Sequence, residues 1–303
     1  VVSERLAKSE PKDFEMGAAN ALLGRIVDYA GLFPPAALDM GRAVENYQKY
    51  LGGDFGWMLG GFVVPASRLG EFAGAFEKVC CGEREQPWTL NIVCAGETAS
   101  DVLAIQDFQQ GAVFIGSLES KAVDGRGAQE LLEKLPAARS RYVEFPLERA
   151  REVLPVLADH GARAKIRMGG VMPESVPNVE VVAAFLSACM RERVAWKATA
   201  GLHHAVRSVR ELVPGGARAP MHGFLNVFLA GALAYFGADE KAVVKTLSEE
   251  DAGAFNVDDE VARWHDNAMI ADQLEKVRSE FAVSFGSCSF EEPVEDLKAM
   301  GWL

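Results

Sequence analysis

Apolar positions along this chain alternate between two patterns. Short runs rich in β-branched, aromatic and aliphatic residues are followed by longer stretches in which apolar residues return with helical spacing. The short runs predict strands at Ile26–Tyr29, Met58–Val64, Thr89–Cys94, Ala112–Ile115, Tyr142–Phe145, Ala164–Met168, Ala195–Thr199 and Phe224–Leu229. The longer stretches predict helices at Leu38–Leu51, Leu69–Val79, Ala99–Gln109, Ala128–Leu135, Leu147–His160 and Val179–Arg193, with another over Phe14–Leu23 ahead of the first strand. Pro34 and Pro35 hold a loop between the first strand and its helix, because each lacks a backbone donor and restricts the residue before it.

Strands alternating with helices of this length imply right-handed βαβ crossovers and a parallel sheet. Eight such units predict an α/β fold closed as a (β/α)8 TIM-like barrel. An open doubly wound sheet is the competing architecture, since periodicity does not show whether the first strand meets the last. The eighth strand has a rival reading of its own: Met221–Ala230 also reads as the start of a helix through Phe236.

Past Asp239 the alternation stops. A helix at Lys241–Glu249, an edge strand over Phe255–Asp259, a helix over Asn267–Phe281, a tail at Phe285–Pro293 and a short helix to Leu303 are expected there. The chain is therefore divided into a barrel, residues 1–238, and a C-terminal α-rich appendage, residues 239–303, too short to bury much core by itself.

Composition narrows the function classes. Of 303 residues, 49% are apolar and 24% charged, enough for a sizeable core. A net charge of -12 repels polyanions, and no Lys/Arg run creates a local exception, so nucleic acid is not expected as a partner. The longest apolar stretch, Phe224–Phe236, is too short to cross a bilayer, and no membrane span is expected. The five cysteines have no zinc spacing and suit a reducing compartment; adjacent Cys80 and Cys81 read as buried thiols, with a redox pair as the alternative. Because the chain opens on Val1, any leader is expected to be already removed, and the compartment is read as cytoplasm or an organelle matrix, a plastid included.

Polar residues inside predicted strands carry the candidate chemistry, since residues i and i+2 share a face and barrel enzymes react at the carboxyl ends of their strands. Lys165 and Arg167 share one face, Lys197 and Thr199 another, and Gly201 is followed by His203 and His204. Two cations inside a barrel require an anion or a carboxylate. Lys197 has two readings: a structural bridge to Glu144, or a nucleophilic amine with a pKa depressed by Lys165 and Arg167, with Glu144, Asp28 or a histidine moving protons.

The segment Cys189–Leu202, with Lys197 in Trp196-Lys-Ala-Thr-Ala-Gly201, resembles the stretch of deoxyribose-phosphate aldolases that ends in their Schiff-base lysine and a small polar run. Ala164-Lys-Ile-Arg167 resembles the lysine-bearing strand before it. The resemblance covers roughly forty residues and implies a barrel lyase in which Lys197 takes the place of that lysine. Asp28–Pro35, Lys197–His204, Met221–Asn226 and Phe285–Phe290 are similar to runs of an uncharacterised family found in bacteria and phototrophs.

The leading expectation is a small-molecule lyase or aldolase-like enzyme acting on a carbonyl substrate that bears a carboxylate or phosphate. Lys197, Glu144 and Asp28 are the candidate catalytic residues; Lys165, Arg167, Thr199, His203, His204, His222 and Asn226 are the candidate binding residues. Neither cofactor nor metal is expected, and the chain is read as a homo-oligomer or as the companion of another protein. A non-catalytic barrel serving as a binding or assembly subunit is the second reading. The third is a metal-dependent hydrolase, with His203, His204, His222, Asp28 and Glu144 supplying ligands for Zn or Mn, although no His-x-His or His-x-x-x-His pattern is present. Ile115-Gly-Ser117 reads as a strand end, and Gly215-Gly216 as an ordinary loop rather than a phosphate loop. Ser287-Cys-Ser289 reads as a buried turn rather than a nucleophile.

Overall fold

The computed structural model of the chain describes residues 17–79, 87–94, 98–108, 111–136 and 138–303. Cys80, Cys81 and the start of the expected N-terminal helix lie outside the described residues. The strands are β1 (Val27–Tyr29), β2 (Leu59–Pro65), β3 (Trp88–Val93), β4 (Val113–Lys121), β5 (Arg141–Glu144), β6 (Arg163–Arg167), β7 (Trp196–Thr199), β8 (Ser208–Glu211), β9 (Arg218–Met221), β10 (Phe255–Val257), β11 (Val261–Trp264), β12 (Asn267–Ile270) and β13 (Ala282–Ser287). The helices are α1 (Ala18–Leu23), α2 (Met40–Leu51), α3 (Leu69–Val79), α4 (Thr98–Asp107), α5 (Gly125–Lys134), α6 (Ala150–Asp159), α7 (Val179–Glu192), α8 (Phe224–Tyr235), α9 (Glu240–Ser248), α10 (Ala271–Glu280) and α11 (Glu291–Ala299).

Eight strands close into a barrel in the order β1-β13-β7-β6-β5-β4-β3-β2. Neighbours in this ring are parallel, as the alternation of strand and helix predicts. Closure excludes the open doubly wound sheet. Several helices start on a side-chain oxygen that takes up a free N–H of the first turn: Asp39 for α2, Asp124 for α5, Asn178 for α7 and Asp239 for α9. No helix of the described residues is long and apolar enough to cross a membrane.

The closing strand is not the predicted one. Phe224–Leu229 belongs to helix α8, and β13, from the stretch expected to be a tail, pairs with β1 and β7. Every residue of α8 from Phe224 to Ala234 is buried, so no polar face betrays its helical period. The helix lies over β7 and β13, with Phe224 stacked on Phe285 at 5.2 Å and Phe228 against Trp196 at 5.4 Å between ring centroids. Gly231 permits that approach, since a Cβ there would stand 2.8 Å from Trp196 Cζ2. Residues 239–303 therefore do more than form an appendage: they supply the last strand and helix of the barrel.

Arg278 of α10 ties the seam from below. Its guanidinium is buried and donates to the carbonyls of Leu22, Gly24, Ala282 and Val283, joining the approach to β1 to the start of β13. Burial lowers its pKa to about 10, leaving it charged at neutral pH.

Strand β4 also differs from expectation, running to Lys121 through the Ile115-Gly-Ser117 segment read as a strand end. β8 and β9 form an antiparallel pair, and β10, β11 and β12 an antiparallel sheet of three; the latter includes Phe255–Val257, expected as an edge strand, and Asn267–Ile270, expected as helix.

Candidate active site in the barrel interior

Polar side chains from several strands meet inside the barrel and form one chain of ion pairs. Lys197 of β7 donates from Nζ to Asp28 Oδ2 and to Glu119 Oε1, each at 2.6 Å. The other Glu119 oxygen, Oε2, receives Lys165 Nζ at 2.8 Å, and Lys165 stands 3.5 Å from Glu144 Oε2. Glu144 Oε1 then meets Arg167 Nε at 2.8 Å and Lys121 Nζ at 3.3 Å. The inner members Asp28, Glu119, Glu144, Lys165 and Lys197 are buried, whereas the side chains of Arg167 and Lys121 are 44% and 64% exposed and form the rim.

The register explains the assembly. Lys165 lies opposite Lys197 and next to Glu144 in the ladder, and Lys121 lies opposite Glu144. Alternation then puts Glu119 and Lys121 on one face of β4, as it does Lys165 and Arg167 on β6. Asp28 is oriented by two further hydrogen bonds and by the space beside it. Ser284 Oγ donates to its Oδ2 at 2.6 Å, Gly61 N donates to its Oδ1 at 2.8 Å, and Gly60 leaves it room, since a Cβ there would stand 2.4 Å from Oδ1. Below the ions, Tyr142 presents its ring 5.4 Å from Lys197 Nζ and accepts from Arg163 at 3.2 Å through its hydroxyl.

Electrostatics follow from this pairing. Burial alone would raise the Glu119 carboxyl, but Lys165 and Lys197 outweigh it and hold its pKa down to about 2. Glu144 is likewise lowered against its own burial by Lys165 and Arg167. Burial would lower the Lys197 amine, yet Asp28 and Glu119 dominate and raise its pKa well above the ordinary lysine value. This corrects the expectation of a depressed Lys197: its amine is held by two carboxylates instead of facing Lys165 and Arg167. It also corrects the alternative bridge, for Lys197 pairs with Asp28 and Glu119, not with Glu144.

The remaining candidates are distributed differently. Thr199 ends β7 beside Gly286. His203 pairs with Glu292 at 2.9 Å and His204 with Asp296 at 3.1 Å, tying the loop after β7 to α11. His222 is fully buried, with Nε2 on the Pro177 carbonyl at 2.7 Å and Nδ1 unpartnered; burial lowers its pKa to about 4. Asn226 is a buried clamp: its oxygen accepts from Arg207 N, and its Nδ2 donates to the Thr246 and Glu249 carbonyls. His222 and Asn226 thus hold loops together and do not join the ion chain. The histidines do not converge with Asp28 and Glu144, and among the described residues no group of three or more His, Cys, Asp or Glu is placed to hold a metal ion. Ser287 Oγ accepts from Ser289 N at 3.3 Å, as in a turn, and lies 3.5 Å from His203 Nδ1.

Sequence reasoning missed Glu119, Lys121, Tyr142 and Ser284. The alternation in Ser117-Leu-Glu-Ser-Lys121 carried a signal for the first two, concealed by Gly116, which reads as the end of a strand.

No protein-family model matches the chain, and no curated protein matches it. Among solved structures it is similar to the tetrameric deoxyribose phosphate aldolase from Aeropyrum pernix, at 12% identity over 93% of each chain and a TM-score of 0.47.

Proposed function

We propose that the protein is a barrel enzyme that acts on a small carbonyl compound by amine chemistry, with Lys165 as the attacking amine and Lys197 as its permanently charged neighbour. The observation that carries this reading is the asymmetry between the two lysines. Deprotonating Lys197 strands two buried carboxylates that hold it at 2.6 Å. Deprotonating Lys165 breaks one short contact, and Glu119 keeps Lys197 while Glu144 keeps Arg167 and Lys121.

Four cations (Lys121, Lys165, Arg167, Lys197) surround three carboxylates (Asp28, Glu119, Glu144), so the chain has one positive charge in excess when all its side chains are ionised. In this mechanism Lys165 gives its proton to solvent and its Nζ lone pair forms a bond to the carbonyl carbon; the oxygen takes one proton from that nitrogen and one from solvent and leaves as water, and the N-protonated imine restores the positive charge that Lys165 gave up. Glu119 and Glu144 then stabilise that cation through fixed, water-excluded carboxylates.

Borohydride reduction in the presence of small aldehydes and 2-oxo acids, followed by peptide mass mapping, tests the assignment. The expected adduct is on Lys165 and disappears in Lys165→Met. An adduct on Lys197, or none with any carbonyl compound offered, removes the reading.

A further inference from the structure

We infer that Arg167 and Lys121 form a rim subsite for a single carboxylate, so that the substrate is a carbonyl compound bearing a carboxylate and not a phosphate ester; this rests on the carbonyl reading for what lies below the rim, but not for the anion site itself. Arg167 gives only its Nε–H to Glu144, and its two η nitrogens have no partner among the described residues. That leaves the flat edge of the guanidinium open for a carboxylate with two parallel bonds. Lys121 reaches the same Glu144 oxygen from β4, so one anion seated at the rim meets both cations.

Two observations select the ligand's charge. The ion chain holds one cation more than it holds carboxylates whenever Lys165, or an imine formed on it, is charged. A carboxylate cancels that surplus; a phosphate ester, with a charge of roughly −1.5 to −2 at neutral pH, exceeds it. The second is the other side of the mouth. Barrels frequently seat phosphate on the loops after the seventh and eighth strands and a helix N-terminus there. In this chain α11, which follows the last barrel strand, opens with Glu291 and Glu292, and its Asp296 accepts from Ala205 N and pairs with His204. Glu291, Glu292 and Asp296 also engage Lys49, His203 and His204, so the basic side chains on that side of the mouth are already taken up by carboxylates.

Binding of butanoate and of butyl phosphate, followed by ligand-observed NMR on the intact protein, separates the possibilities. Neither probe has a carbonyl group, so the outcome does not depend on whether Lys165 forms an imine; conversely, trapping with neutral propanal tests the amine without the rim. Saturable butanoate binding is expected, weakened about tenfold by Arg167→Gln and severalfold by Lys121→Gln, with butyl phosphate weaker than butanoate on the unaltered protein. Both side chains are at least partly exposed, and unchanged melting curves of the variants show that the fold is kept. Butyl phosphate binding as tightly as butanoate, butanoate affinity unaltered in both variants, or no saturable butanoate binding overturns the assignment.

Discussion

Glu119→Gln is the substitution that tests the ion chain most directly. The side chain keeps its shape and loses its charge, while both of its oxygen positions face ammonium groups at 2.6 and 2.8 Å. An amide offers one acceptor and, on the other side, N–H donors that confront a cation. One lysine therefore loses its contact at position 119, leaving either Lys197 on Asp28 alone or Lys165 on Glu144 alone, at 3.5 Å, in a buried site. Removing one member of a buried ion pair costs about 3–5 kcal/mol. A second route gives a similar figure. The Glu119 carboxyl is held at about 2 against an ordinary 4.5, and at ~1.4 kcal/mol per pH unit the difference is worth roughly 3 kcal/mol at neutral pH. Because the folded value lies below the unfolded one, this contribution is complete above about pH 4.5 and is lost as pH falls toward 2. With unfolding entropy of about 2.1 cal/mol/K per residue, 3 kcal/mol in a chain of 303 residues corresponds to a drop in Tm of about 5 °C. Thermal unfolding by circular dichroism at neutral pH, repeated between pH 5 and 2.5, reads both effects. The variant is expected to melt about 5 °C lower and to lose part of the acid sensitivity of the parent. Pairing it with Lys197→Met should cost less than the two single losses together, since the Glu119–Lys197 contact that each variant removes is then lost only once. A shift below about 1 °C with an unchanged acid profile would show that water, not Glu119, satisfies the lysines, and the argument for a dry ion chain would fall.

Two further outcomes follow from groups outside that chain. His222 is neutral in the fold, with a pKa lowered to about 4, so stability is complete above about pH 6.5 and declines as pH falls toward 4, by up to roughly 3 kcal/mol. Chemical denaturation at several pH values should show this slope flattened in His222→Asn, and an identical slope in both proteins would refute it. Arg278→Met leaves four carbonyls without their donor at the β1–β13 seam and is expected to cost more than about 3 kcal/mol. A melting temperature within about 1 °C of the parent would show that the seam does not depend on that guanidinium.

The parts of the fold legible in the sequence are those where one side of an element faces apolar neighbours. Helix α3 runs over Leu69–Val79 as read from its spacing, and β3, β5, β6 and β7 lie within two residues of their expected bounds. The errors at the barrel have two causes. In β4 and β13 the inward positions are polar or glycine (Ser117, Glu119 and Ser284, Gly286), because this interior holds charges instead of a sealed apolar core. A strand whose inner face is polar resembles a loop, and α8, apolar on every side, lost the period that marks a helix.

The same division applies to the site. Sequence by itself determined that strand-borne cations on β6 and β7 must meet anions, because a buried charge without a partner is too costly to keep, and it named Glu144 as such a partner, with Asp28 only as a group that moves protons. Which carboxylate meets which amine was decided only by closure of the barrel. Lys197 and Glu119 are distant along the chain and on non-adjacent strands, and they touch because both point toward the same axis. The contacts with Asp28 and Glu119 reverse the direction in which the Lys197 pKa moves, since proton affinity depends on the nearest charges in space and not on neighbours in the ladder.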